Sequence, residues 1–120
     1  MGRPICHLEI NVSDLERAKK FYGELLGWEF TSWGDAPYAM FTTAEGSIGG
    51  GLSAMGAPSG AGGVCYYAQV DEFESYLAKA VELGGTTDGN VVHIDDNIGD
   101  CAFVGDPDGN PVGLFKAAHG

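Results

Sequence analysis

The stretch HLEINVSDLERAKKFYGELLGWEF, from His7 to Phe30, carries the pattern of a strand followed at once by a helix. Polar and apolar residues alternate over 5–12, which predicts a β-strand. Ser13, with Glu16 three residues later, forms a capping-box pattern and predicts that a helix begins there. Gly27 stands where the left-handed residue that ends a helix is expected. The apolar stripe of this helix consists of Leu15, Ala18, Phe21, Tyr22, Leu25 and Leu26.

Three short strands are predicted after this helix, over 28–33, 38–43 and 47–53. Turn-forming residues over 34–37 and 44–46 separate them. The first half of the chain therefore has the predicted element order βαβββ.

The second half repeats this order. A shift of 58 residues sets 7–12 against 65–70, and the apolar and polar positions correspond. A strand is predicted over 64–70, and a helix follows with Asp71 as N-cap and Glu74 at the capping-box position. The last three strands are predicted over 86–92, 99–104 and 111–116. We expect one domain with a first module over 4–55, a flexible glycine-rich linker over 56–63 and a second module over 64–117.

The composition excludes several classes of partner. Six Lys and Arg stand against 17 Asp and Glu, so the formal net charge is −11. No basic stripe is present to follow a phosphate backbone, so nucleic acid and anionic membrane surfaces are poor partners. No apolar run is long enough to span a bilayer, and no secretory signal is apparent, so a cytoplasmic location is expected. The acidity favours a cationic ligand, but it serves solubility equally well.

The three cysteines, Cys6, Cys65 and Cys101, are too scattered for a zinc knuckle, and their odd number does not suggest a disulfide framework. Each lies in an apolar, strand-like stretch, where a free cysteine usually behaves as a small buried hydrophobic residue. His93 is expected in a solvated loop, and His119 in the frayed tail.

Three motifs together resemble the vicinal oxygen chelate superfamily, which includes glyoxalases, bleomycin resistance proteins and dioxygenases. The stretch 7–30 resembles its first module, VDEFESYLAKAVELGG (70–85) its second helix, and FVGDPDGNPVGLF (103–115) its closing hairpin. The resemblance implies an α+β fold in which two tandem βαβββ modules form curved mixed sheets around a cavity. It also implies a small-molecule ligand and a homodimer.

In metal-dependent members of the superfamily, four equivalent positions face the cavity. The resemblance places them at His7, Gly50, Cys65 and Gly113, with the position at Gly50 assigned to within about one residue. Glycine offers no side-chain ligand, and a catalytic metal site needs about three protein ligands. We therefore predict no metal and no other cofactor, with one divalent metal ion as the alternative. The two glycines would also leave room for a larger ligand, although ordinary strand packing explains them equally well.

The candidate ligand-binding residues follow from strand alternation. His7, Glu9 and Asn11 share one face of the first strand, opposite the apolar residues that should cover the helix. Their repeat equivalents are Cys65, Tyr67 and Gln69. A satisfied polar network, or a wet interface between modules, is the structural alternative. The bulky residues Trp28, Trp33, Tyr38, Phe41 and Phe103 supply both core and ligand contacts, and we place Trp33 and Phe103 among the ligand-binding candidates.

The candidate catalytic residues are His7, Glu9 and Cys65. His7 or Glu9 is suited to general acid–base work, and Cys65 becomes a nucleophile only if His7 deprotonates it. An inert cysteine is the favoured interpretation. The predicted function is small-molecule binding in a metal-free cavity. The alternative is a glyoxalase-like lyase or isomerase, or a dioxygenase, which is metal-dependent or uses His7 and Glu9 as acid and base.

Overall fold

The computed structural model of the chain describes residues 2, 5–32, 34–58, 60 and 65–118. The chain divides into two compact units, Met1–Ser59 and Gly60–Gly120. Within the described ranges each unit contains one four-stranded sheet and one helix. None of the helices described is both long and apolar enough to cross a membrane.

Unit 1 has the element order βαβββ. Its sheet has the strand order β1-β4-β3-β2, in which β1 is parallel to β4 and the other neighbours are antiparallel. The parallel pair is possible because α1 and two strands intervene between β1 and β4. The elements are β1 (Leu8–Asn11), α1 (Leu15–Leu26), β2 (Glu29–Ser32), β3 (Tyr38–Thr42) and β4 (Gly50–Ser53).

Unit 2 repeats the order and the topology of unit 1. Its sheet has the order β5-β8-β7-β6, with β5 parallel to β8. The predicted α+β fold of two βαβββ modules with mixed sheets is confirmed. The elements are β5 (Tyr67–Gln69), α2 (Glu74–Glu82), β6 (Val91–Asp95), β7 (Gly99–Gly105) and β8 (Pro111–Ala117).

The core of unit 1 is aromatic and joins α1 to its sheet. The rings of Tyr22, Trp28 and Phe41 form a continuous stack, with centroid separations of 5.0 and 4.4 Å and nearly parallel planes. Each of these residues is at most 9% exposed, so Trp28 and Phe41 belong to the core. The predicted stripe of α1 supplies the buried residues Ala18, Phe21, Tyr22 and Leu25.

The helix starts differ from the prediction. Asp14, and not Ser13, is the N-cap of α1, because its carboxylate accepts a hydrogen bond from the Arg17 backbone N–H at 3.1 Å. At α2 the predicted Asp71–Glu74 capping box is wrong as well. The Glu72 carboxylate accepts from the Ser75 N–H at 2.9 Å and from its hydroxyl, which lowers the pKa of Glu72. The predicted C-cap at Gly27 is present, with φ of 74°.

The strand predicted over 86–92 overlaps the observed strand only at 91–92, so its predicted start is wrong. The chain forms only an isolated bridge from Thr86 to Gly105 there, and β6 begins at Val91. The residues between are held in a turn in which the Thr87 hydroxyl accepts from Gly89 N–H, and the Asp88 carboxylate accepts from Asn90 N–H. Such local side-chain bonds compete with a strand ladder.

Candidate functional site

The sheet of unit 1 has one face packed on α1 and one face turned away from it. Ile10 and Leu52 are paired in register on the α1 side and are 7% and 0% exposed. Since side chains alternate along a strand, the neighbouring pair Glu9 and Gly51 lies on the opposite face. This is the face that the sequence assigns to the ligand.

A hydrogen-bonded group on this face, which we call the His7 cluster, consists of His7, Glu9, Tyr38 and Gly51. The Tyr38 hydroxyl donates to Glu9 Oε2 at 3.0 Å, and its oxygen lies 3.1 Å from His7 Nε2. His7 Nε2 is also 3.6 Å from Glu9 Oε2. Tyr38 is only 6% exposed, whereas the side chains of His7 and Glu9 are 42% and 51% exposed. Burial, the hydrogen bond to Glu9 and the charge of Glu9 together raise the pKa of Tyr38.

Gly51 makes this arrangement possible. A Cβ on Gly51 would overlap the hydroxyl and ring of Tyr38, so no other residue fits without moving the tyrosine. Tyr38 is the member of this cluster that the sequence did not single out as a site candidate. Tyr38 belongs to the His7 cluster because β3 pairs with β4, which places the Tyr38 side chain over β4 and beside Glu9. No pattern within β3 itself signals this.

An aromatic group in unit 2, which we call the Tyr67 patch, consists of Tyr67, Phe103 and Gly113. The two rings meet edge to face with centroids 5.6 Å apart, and they are 52% and 40% exposed. A Cβ on Gly113 would overlap the Tyr67 ring. Desolvation is the first cause that raises the pKa of Tyr67, followed by the charges of Cys65 and Cys101. Two predicted ligand-binding residues are thus brought together.

The cysteines were expected to be buried, and this is correct only for Cys101. Cys6 and Cys65 are exposed. The Cys65 thiol contacts the Tyr66 carbonyl oxygen at 3.6 Å. Desolvation raises the pKa of this thiol more than a hydrogen bond from the Gly113 backbone lowers it. A nucleophilic cysteine requires the opposite shift, so these surroundings favour the inert thiol.

The remaining predicted ligand-binding residues lie apart from these two groups. Asn11 is half-buried at the end of β1, where Gly56 comes close to its side-chain amide. Gln69 lines a cavity of about 550 Å³ together with Tyr76 and Lys116. Trp33 lies outside the described residues.

His93 lies in β6 and not in a solvated loop as predicted. Its Nδ1 is 2.7 Å from Asp100 Oδ1, and its Nε2 is 2.8 Å from Asp96 Oδ1. The hydrogen bond with Asp100, and then that with Asp96, raises the pKa of His93. These residues line a cavity of about 250 Å³ next to Lys116. The strand register pairs His93 with Asp100, which sequence spacing alone does not reveal.

Comparisons with known proteins agree with this fold. The family described as "Bleomycin resistance protein-like N-terminal" matches residues 5–44. The putative glyoxylase CFP32 of Mycobacterium bovis is 32% identical over 117 residues, which cover 92% of this chain and 44% of that protein. The family match and this relative support an assignment of the chain to the vicinal oxygen chelate superfamily. It spans less than half the length of that mycobacterial relative.

Two solved structures of this superfamily show the same fold. A glyoxalase/bleomycin resistance protein from Albidiferax ferrireducens T118 has a TM-score of 0.73 at 20% identity, covering 93% of this chain and 97% of its own. The fosfomycin resistance protein FosX from Listeria monocytogenes, solved with Mn(II) and sulfate, has a TM-score of 0.79 at 15% identity, covering 98% and 92%.

The strand register changes one assignment to the superfamily's metal positions. The sequence repeat predicts Gly50 as the counterpart of Gly113. In the structure, however, Gly113 pairs with Tyr67, and the repeat equivalent of Tyr67 is Glu9, which pairs with Gly51. Gly51 is therefore the counterpart of Gly113. Gly50 instead permits the close approach of β1, because a Cβ there would overlap a backbone oxygen of that strand.

The residues at these positions do not fit a vicinal oxygen chelate metal centre. Gly51 and Gly113 provide no donor atom, and the space beside them is filled by Tyr38 and Tyr67. In the part of the chain that the structure describes, no group of three or more His, Cys, Asp or Glu side chains is placed to hold a metal ion. The expectation that glycines at these positions leave room for a larger ligand is wrong, because Tyr38 fills the space at Gly51 and Tyr67 fills the space at Gly113.

Proposed function

We propose that the protein binds a small organic molecule without a metal ion, on the sheet face of unit 1 that carries the His7 cluster. One observation supports this above all. Each glycine at a superfamily metal position, Gly51 or Gly113, has a tyrosine side chain lying over it. In both units a tyrosine side chain fills the space beside this glycine, although the two tyrosines come from different strands, β3 and β5.

Each of the two groups offers its own chemistry to a ligand. The His7 cluster presents a half-exposed imidazole and a half-exposed carboxylate that are suited to polar groups. The Tyr67 patch presents two half-exposed rings that are suited to a flat apolar or cationic group.

The second candidate function is catalysis with His7 and Glu9 as acid and base. The hydrogen bonds that join His7, Tyr38 and Glu9 favour it, because a catalytic imidazole needs a partner that orients it. The mycobacterial relative is described as a putative glyoxylase, which agrees with an enzymatic role.

Metal analysis of protein purified without chelator tests the proposal. We expect less than about a tenth of an equivalent of Zn²⁺, Mn²⁺, Ni²⁺ or Fe²⁺, and no thermal stabilisation when these ions are added. A ligand that binds the native state raises its stability by mass action. One equivalent of tightly held metal that is absent from a His7→Ala variant would overturn the metal-free proposal. A homodimer and a cytoplasmic location stay predictions from the sequence.

A further inference from the structure

We propose that the His7 cluster selects an organic cation that carries N–H groups, because Tyr38 acts as a positioning residue that leaves His7 Nδ1 as a hydrogen-bond acceptor. This inference rests on the proposed binding function and adds the chemical class of the ligand. It is carried by the two hydrogen bonds of Tyr38 and by the burial of its hydroxyl.

The positions of the protons follow from the inventory of donors. A carboxylate has no proton to donate, so the bond between Glu9 and Tyr38 uses the single proton of the tyrosine hydroxyl. The Tyr38 oxygen can then only accept from His7, and Nε2 must carry the hydrogen. A neutral imidazole has one N–H group, so Nδ1 carries a lone pair.

The surroundings of Tyr38 prevent the opposite arrangement. The residue is 6% exposed, so water does not readily replace either hydrogen-bond partner of its hydroxyl. The hydroxyl lies in the space that a Cβ of residue 51 would fill, so it lies close against β4. Glu9 accepts the proton of the Tyr38 hydroxyl and thereby fixes the orientation of that hydroxyl. The hydroxyl oxygen then accepts from His7 Nε2, which fixes the tautomer of His7.

The ligand class follows from what the cluster presents to solvent. Both contacts that the described residues make with the imidazole use Nε2, so Nδ1 is available to a ligand. The Glu9 carboxylate beside it is half-exposed and negatively charged. Two acceptors and a negative charge select a cation with N–H donors and disfavour an anion, as does the net charge of −11.

An apolar contact for the same ligand is available on this face. Met40 pairs with Gly51 across β3 and β4, so it lies beside the tyrosine, and it is 51% exposed. A thioether side chain adapts to ligands of varied shape and packs well on aromatic groups. We therefore expect an amine attached to an apolar or aromatic body.

The tautomer of His7 is measurable without any ligand. Long-range ¹H–¹⁵N correlation spectra, recorded at about pH 8 where an ordinary imidazole is neutral, should show His7 as the Nε2–H form. His7→Ala identifies its signals. In Glu9→Ala, the Tyr38 proton is free to be donated to Nε2, and we expect the Nδ1–H form to appear. Glu24→Ala removes an exposed carboxylate of α1 and should change nothing. An Nδ1–H form in the wild type, or an unchanged tautomer in Glu9→Ala, would overturn the inference.

The ligand class is tested with two matched probes, benzylamine as its ammonium ion and benzyltrimethylammonium. Both are monocations on a benzyl group, and only the first carries N–H donors. A hydrogen bond to a charged group supports a preference of about tenfold in Kd. We expect benzylamine to bind about tenfold more tightly and to shift the His7 Nδ1 signal, and Tyr38→Phe to remove most of this preference.

These measurements separate the inference from the function on which it rests. Equal binding of the two probes, or binding that leaves Nδ1 unshifted, overturns the ligand class. If neither probe binds while another small molecule stabilises the metal-free protein, the ligand class is also overturned and the proposed function stands. If no small molecule binds, the proposed function itself is overturned, whatever the tautomer.

Discussion

The hydroxyl of Tyr38 lies over Gly51, in the space that any larger residue at position 51 would fill. Tyr67 covers Gly113 in the same way in unit 2. On the neighbouring parallel strands, Gly51 pairs with Glu9 and Gly113 pairs with Tyr67. Glu9 and Tyr67 are equivalent positions in the sequence repeat. In both units a tyrosine therefore fills the space beside this glycine, with its hydroxyl in unit 1 and with its ring in unit 2.

Gly51→Ala should destabilise the protein by about 2 kcal/mol, because the new methyl group forces Tyr38 out of its packed position. Urea unfolding measures the change in the free energy of unfolding. The matched control is Gly56→Ala, where a Cβ would meet its nearest neighbour, the Asn11 side chain, at an ordinary distance of 3.6 Å. Equal stability of the two variants would show that Tyr38 moves aside at no cost.

The alkylation rate of Cys65 should continue to increase as the pH rises above 9.0, the ordinary pKa of a thiol, because desolvation raises the pKa of this thiol. Iodoacetamide consumption by a Cys6→Ser variant reports on Cys65, since Cys101 is buried. A catalytic nucleophile behaves differently, and its rate reaches a plateau near neutral pH. Such a plateau would show that the pKa of the Cys65 thiol is lowered, and it would support Cys65 as a catalytic nucleophile.

Local signals were sufficient for much of the fold. The stripe of α1 and the end of that helix at Gly27 depend on residues within a few positions of each other, and both appear as predicted. The closing hairpin expected over 103–115 is present as well, and its turn at 106–110 depends on equally local hydrogen bonds. The start of β6 was misplaced because side-chain bonds of Thr87 and Asp88 hold the preceding residues in a turn.

The candidate site depended on information that the sequence does not carry locally. His7 and Glu9 were predicted from alternation along a single strand, and Tyr67 and Phe103 from the repeat and their size. Tyr38 requires the register between β3 and β4, because strands distant along the chain bring its hydroxyl to Glu9. The shift from Gly50 to Gly51 has the same origin, since a register change of one residue exchanges the two faces of a strand.

Asp100→Asn should lower the pKa of His93 more than Asp96→Asn does, because the hydrogen bond with Asp100 is the larger cause of the raised pKa. A histidine whose folded-state pKa lies above 6.5 adds stability below pH 6.5, and this contribution is lost as the pH rises through the folded-state value. NMR titration of the His93 ring measures the pKa directly.

The charged groups around His93 allow a control for the His93 titration. Asp95 and Lys116 also lie close, and the register pairs Lys116 with Asp100 across β7 and β8. Lys116→Gln removes the competing cation without touching the two His93 hydrogen bonds, so it should not lower the His93 pKa. If the His93 pKa falls further in Asp96→Asn than in Asp100→Asn, the hydrogen bond with Asp100 is not the larger cause of the raised pKa.

Asp106→Ala should destabilise unit 2 by about 3 kcal/mol, because it leaves buried N–H donors without an acceptor. The Asp106 side chain is 1% exposed and accepts from the backbone N–H groups of Asp108 and Asn110 and from the Asn110 amide, each at 2.9 Å. These bonds hold the turn between β7 and β8, in which Gly109 has φ of 84°. Asp35→Ala removes the same charge from an exposed turn of unit 1 and should change stability by less than about 0.5 kcal/mol. If Asp106→Ala unfolds at the same urea concentration as Asp35→Ala, the turn is held by its backbone conformation alone.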